Sequence, residues 1–274
     1  MMDDFDIVTS DDPAVSKMLD EARNAEDAGR TDDAAALYRR AGDAGCTDAV
    51  VHLAMMLMDS SDDGRKEAIA LLKKACEDGN ASAARNLGYC YAVGIGVERN
   101  KELAAKLYIK ASEAGNAKAM CNIGVLYSYG NGVEKDFAKA AEWYRRSAEG
   151  GCSRGMTNYA CCLRDGVGVE KDSELAAEWF ARSGSPRAKR LLAKMKLDSD
   201  GIAKDVQGAR TLLEDASATD SKAMVLLGDL IFSEDRERAV SLFGKAASKG
   251  NANAVSKLEE LGLPVPESNR KKKS

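Results

Sequence analysis

One pattern recurs three times in this chain without a gap, and it decides the fold class. Windows 82–117, 118–153 and 154–187 align at a spacing of 36 residues, the last being slightly shorter. Asn86, Asn122 and Asn158 correspond, as do Gly94, Gly130 and Gly166, then Gly96, Gly132 and Gly168, then Val97, Val133 and Val169. Ala104, Ala140 and Ala176 follow in register, and then Tyr108, Tyr144 and Phe180. A period of about 20–50 residues marks stacked repeats, because one such unit cannot bury its apolar face alone and must lean on its neighbours.

Each unit reads as two helices. Ala84, Leu87, Gly88 and Tyr91 fall at i, i+3, i+4 and i+7, one face of a first helix, A. Gly94-Ile95-Gly96-Val97 makes a loop. Asn100, matched by Asp136 and Asp172, is placed to cap a second helix, B, by accepting from a free N–H of its first turn. Ala104, Leu107, Tyr108 and Ala111 share one face of B, and Gly115, matched by Gly151, closes it through a left-handed residue. Gly88, Gly124 and Gly228 lie inside A helices, where glycine costs about 1 kcal/mol relative to alanine. A cost that recurs implies close helix–helix approach, and Trp143 and Trp179 supply bulk between layers.

Weaker copies extend the pattern both ways. Asp205, Ala209, Leu212 and Leu213 mark a degenerate unit near 188–221, and Leu227, Gly228, Ile231, Ala239, Leu242, Phe243 and Gly250 mark another with a shortened loop. Leu53 with Leu71, Leu72 and Gly79 fits one upstream unit, residues 15–45 fit a first hairpin, and 253–262 read as a terminal capping helix. The expectation is an all-α protein, an α/α superhelical solenoid of helix-turn-helix repeats. Six to seven hairpins form a single solenoid over 14–262, between a disordered acidic tail (1–13) and a disordered basic tail (263–274).

Composition narrows the function. A net charge of −4 lacks the strongly basic footprint of a nucleic-acid binder. The start, MMDDFD, has neither a basic segment nor an apolar one, so no secretory signal is read there. The longest apolar run, Ala49 to Met58, is too short to span a membrane. The expected compartment is therefore the cytoplasm, with the seven cysteines reduced. Arg270, Lys271, Lys272 and Lys273 form one short basic cluster, whose sharper reading is a contact to nucleic acid or a membrane.

The string IGVLYSYGNGVEKDFAKAAEWYRRSAEGG (123–151) resembles the Sel-one-like repeat, with its spaced Gly, aromatic and Ala positions. Three units match well, and weaker ones carry the resemblance from about residue 15 to 262. The first hairpin, AGRTDDAAALYRRA, is closer to the related tetratricopeptide repeat. The resemblance implies an α/α superhelix acting as a scaffold or adaptor for a partner protein or peptide. One secreted, cysteine-rich branch of that family has been linked to penicillin binding and β-lactamase activity. Cys46, Cys76, Cys90, Cys121, Cys152, Cys161 and Cys162 do not form that branch's paired series, which argues against a hydrolase here.

Chemical motifs are sparse. His52 is the only histidine and reads as a helix-surface residue. No Cys-x-x-Cys pair offers a zinc site. Gly94-Ile95-Gly96 lacks the third glycine of a dinucleotide loop and follows a helix rather than a strand. Asp198-Ser199-Asp200-Gly201 starts like a calcium loop, but its twelfth position is Ala209 rather than Glu. Neither an enzyme active site, nor a cofactor, nor a metal is expected.

Function in a solenoid usually lies on the concave face, lined by successive A helices. Opposite the apolar face of A runs the stripe Ser82, Asn86, Tyr89, Val93, repeated as Lys118, Asn122, Val125, Tyr129 and as Arg154, Asn158, Cys161, Asp165, with Asp48, His52, Met55 and Asp59 upstream. An amide both donates and accepts, so a row of asparagines can pair with an extended peptide backbone. It can equally bond a neighbouring helix. The candidate partner-binding residues are therefore Asn86, Tyr89, Lys118, Asn122, Val125, Tyr129, Arg154, Asn158, Asp165 and His52.

Overall fold

A computed structural model describes residues 10–267. These residues form fifteen helices and no strand: α1 (Pro13–Asp27), α2 (Thr31–Asp43), α3 (Thr47–Met58), α4 (Asp62–Glu77), α5 (Ala81–Val93), α6 (Lys101–Glu113), α7 (Ala117–Tyr129), α8 (Phe137–Glu149), α9 (Ser153–Asp165), α10 (Ser173–Ser183), α11 (Pro186–Asp198), α12 (Val206–Ala216), α13 (Ser221–Ile231), α14 (Arg236–Ser248) and α15 (Ala252–Glu260). The basic cluster Arg270–Lys273 lies outside the described residues, as do Asp3, Asp4 and Asp6 of the acidic end.

The chain divides into two compact units, Met1–Trp143 and Tyr144–Ser274, with the division falling inside α8. In the first unit each helix from α1 to α7 packs on the next in sequence, and α3 also touches α5. In the second, the same holds from α9 to α15, and α11 touches α13. Neighbour-on-neighbour packing, with A helices meeting across the intervening B helix, is the contact pattern of an α/α solenoid.

Local chemistry sets the boundaries. Gly94, Gly130 and Gly166 end α5, α7 and α9 with φ of 89°, 68° and 67°, a left-handed conformation that a side chain would strain. Asn100 and Asp172 each accept from the N–H three residues on, at 2.9 Å, and so start α6 and α10. Asp136 does the same for Lys139 at 2.9 Å, and that bond, more than any other influence, holds its carboxyl below the usual range. Gly115 and Gly151 have φ of 81° and 85°, as the closing positions of B helices require.

The glycines inside A helices mark close approach. A Cβ on Gly88 would stand 2.9 Å from ring carbons of Tyr108 and 3.3 Å from the Ala104 carbonyl. On Gly228 it would stand 2.5 Å from a ring carbon of Phe243. Both rings are buried, so helix B is seated in a notch that only glycine leaves open. Between α9 and α10, Trp179 lies edge-on to Tyr159 at 5.8 Å between ring centroids.

Candidate partner-binding face

The A helices are oriented by their N-caps, and four of these caps hold two partners at once. Asn80 accepts from Ala83 N at 2.8 Å, while its amide nitrogen donates to Asp48 at 2.7 Å and Thr47 at 3.2 Å on the preceding A helix. Asn251 accepts from Ala254 N at 3.2 Å and donates to Ser221 Oγ at 3.3 Å. Asp220 accepts from Lys222 N at 2.8 Å and, through its other oxygen, from Arg190 Nε at 2.8 Å. Ser185 accepts from Ala188 N and joins Ser183 and Thr157 in a hydroxyl network. Each cap thus fixes both where its helix starts and how that helix sits on the repeat before it.

Counting from the cap shows which side faces inward. Positions three, seven and eight past the cap are buried in α5, α7, α9, α11 and α13: Ala83, Leu87 and Gly88 in α5, and Ala223, Leu227 and Gly228 in α13. Positions two, six, nine and thirteen form the stripe picked out in the sequence. In the first unit Tyr89, Lys118, Asn122 and Val125 are half-buried, and Tyr129, next to the terminal Gly130, is 72% exposed. Asn86 departs from the expected accessibility. It is buried at 6% exposure, because α5 is hemmed in by α3, α4 and α6, which narrows its solvent-facing arc. Its amide is therefore a poor first contact for an incoming chain.

His52 also departs from the surface role expected of it. Its side chain is 11% exposed. Its Nε2 lies 3.1 and 3.3 Å from the two carboxylate oxygens of Glu26, and its ring stacks at a tilt on Tyr38, 4.4 Å between centroids. The Tyr38 hydroxyl donates to the same carboxylate at 2.7 Å. Burial chiefly, aided by the Glu26 bond and charge, raises the phenol well above its ordinary range. The cluster ties α1, α2 and α3 together, so His52 serves the packing of the first hairpin.

In the second unit Arg154 is exposed, and Asn158 accepts from Arg187 Nη1 at 3.2 Å, one A helix further on. That bond gives Asn158 the neighbour-bracing role open to it. Asp165 accepts twice from Arg164, at 2.7 and 2.8 Å, and this pairing holds its carboxyl below the usual range.

The same stripe continues where the asparagine column stops. Lys194 stands nine residues past the Ser185 cap; Lys222, Leu226 and Asp229 stand two, six and nine past Asp220; and Asn253, Lys257 and Glu260 stand two, six and nine past Asn251. Together they wall an open groove of about 450 Å³ across α11, α13 and α15. The asparagine column does not reach this groove, because α11, α13 and α15 carry no Asn at the sixth position past their caps. Counting outward from the caps would have found it.

Stacked helical hairpins whose A helices carry one repeated solvent-facing stripe define an α/α repeat solenoid. The chain belongs to the Sel1 repeat family, whose model matches residues 48–80, 81–116, 117–152, 153–185 and 221–251. Among solved structures it is similar to a protective antigen of uropathogenic Escherichia coli strains displaying an SLR fold, at 27% identity and a TM-score of 0.67. That likeness covers 87% of this chain and 54% of the antigen, so the chain spans about half of that relative's length. A Sel1 repeat protein from Oxalobacter formigenes aligns at 28% identity and a TM-score of 0.68, over 72% of this chain and 84% of the other. None of the curated proteins compared is a significant match. No helix among the described residues is long and apolar enough to cross a membrane.

Proposed function

We propose that this chain is a non-catalytic scaffold that holds an extended segment of a partner protein along the stripe of its A helices, working in the cytoplasm. The observation that carries this reading is the recurrence of the stripe at fixed offsets from the caps, ending in an open groove over α11, α13 and α15. His52, at a stripe position of α3, is occupied in packing with Glu26 and Tyr38, and the Thr157–Ser183–Ser185 hydroxyls are occupied at the start of α11. Each unit carries its own part of the stripe: Lys118, Asn122 and Val125 in the first, Arg154 and Asn158 in the second.

Site-specific photocrosslinking tests the reading. A benzophenone side chain placed at Val125 or Tyr129 is expected to capture a partner that one at Ile109, an exposed position on a B helix, does not. Against the partner so identified, the double change Asn122→Ala with Asn158→Ala should weaken binding roughly thirtyfold, at about 1 kcal/mol for each lost hydrogen bond. Capture from Ile109 alone would move the site to the B-helix side. Loss of helical signal in the double variant would make the asparagines structural.

A further inference from the structure

We infer that the groove of α11, α13 and α15 takes an extended acidic segment of the partner, with carboxylates on Lys194 and Lys222 and apolar side chains on Val225 and Leu226. This rests on the scaffold reading and names the chemistry its second unit selects. Four cations line the groove, Arg190, Lys194, Lys222 and Lys257, against two carboxylates, Asp229 and Glu260, in a chain whose net charge is −4. Two of the cations are already committed. Arg190 bonds Asp220 at 2.8 Å with both side chains 15% exposed, and Lys257 bonds Asp229 at 2.9 Å. The side-chain ammonium groups of Lys194 and Lys222 make no ion pair or hydrogen bond among the described residues, and both residues are exposed. Two uncommitted ammonium groups beside an apolar floor are complementary to carboxylates spaced by apolar residues.

Dimensions and lining favour a peptide. From Lys222 to Asp229 the helix rises about 10 Å, which an extended chain covers in roughly three residues. Asn253 is exposed on the opposite wall and offers an amide to that backbone. A nucleic-acid strand fits poorly. No aromatic side chain lines the groove for bases to stack on, and Asp229 and Glu260 would repel a continuous polyanion.

The test is selection from a phage-displayed library of random peptides on the immobilised full-length protein, followed by fluorescence anisotropy of the enriched peptides. The expected result is enrichment of peptides with two or more Asp or Glu separated by apolar residues. Their binding should weaken with salt, and should fall roughly tenfold or more with Lys194→Glu plus Lys222→Glu. The same charge change at the exposed pair Lys73 and Lys74 of α4 should leave binding within about twofold. Lys194→Gln plus Lys222→Gln, which removes charge without introducing repulsion, should fall between. Peptides without acidic residues, acidic peptides indifferent to Lys194 and Lys222, or no enrichment at all would overturn the inference. Acidic peptides lost instead with Lys118→Glu and Arg154→Glu would overturn it while leaving the scaffold reading intact. Failure of both this selection and the photocrosslinking would remove both.

Discussion

Two glycines of the second unit make opposite predictions from the same substitution. Gly228 lies inside α13 and Gly244 inside α14. Alanine in a helix interior is favoured over glycine by about 0.8–1.0 kcal/mol. At Gly244 a Cβ meets nothing within 4 Å, so Gly244→Ala should stabilise by about that amount. At Gly228 the new Cβ would stand 2.5 Å from Phe243 Cε1 and 3.0 Å from Cζ. Carbon atoms rest at about 3.5–4.0 Å, so the ring must retreat by roughly 1 Å. Phe243 is 1% exposed and lies beside Phe232 at 6.3 Å, so the ring has no free space to enter. Overpacking of this kind costs about 1–3 kcal/mol, which cancels or exceeds the helix gain. The net expectation for Gly228→Ala is a loss of about 0–2 kcal/mol, and the two variants should differ by roughly 1–3 kcal/mol. Urea denaturation at unchanged m-value measures both. Adding Phe243→Leu to Gly228→Ala should recover part of the loss, because a smaller side chain vacates the notch. If Gly228→Ala stabilises as much as Gly244→Ala, close approach is not why glycine stands inside these helices.

Ser199 ends α11 with φ of 55°, where α5, α7 and α9 have glycine. Ser199→Gly should relieve about 1–2 kcal/mol of left-handed strain against about 0.4–1 kcal/mol of added unfolded-state freedom, a net gain near 0.5–1 kcal/mol that a higher denaturation midpoint would register. Burial pushes the Cys90 thiol from its ordinary 9.0 up to about 11. Because the folded form holds its proton longer, its contribution to stability is complete below pH 9 and is lost as pH rises toward 11. Cys90→Ala should flatten that alkaline fall, and an unchanged slope would count against the burial account. In the folded protein at pH 8 the same thiol should react with a disulfide reagent more slowly than half-buried Cys46.

The fold was legible wherever a residue type has one physical use. Left-handed glycines at 94, 130 and 166 and capping side chains at 100, 136 and 172 have few substitutes, so the central repeats could be bounded almost to the residue. The degenerate repeat was harder, because Ser199 adopts the glycine conformation without being glycine. The stripe was legible as a face, though not as a set of accessible groups. Asn86 and Asn122 occupy one position in two repeats, yet the first is buried and the second half-buried, since accessibility depends on how closely neighbouring helices crowd each copy. The burial of His52 has a related cause: Glu26 and Tyr38 reach it from other helices, and neither lies near it in the chain.

The caps that bond in two directions bear on how such a chain changes length. The oxygen of Asn80 or Asn251 serves its own helix, while its nitrogen reaches the repeat before it. The bonds that cross between repeats at Asn80 lie at the exposed rim, where water can replace either partner. If the preceding repeat is deleted or replaced, the Asn80 cap still anchors its helix, and its amide nitrogen is left to water at the rim. At Asn80 the joint between repeats is thus a seam whose polar bonds water can take over, so the start of α5 does not depend on the repeat before it.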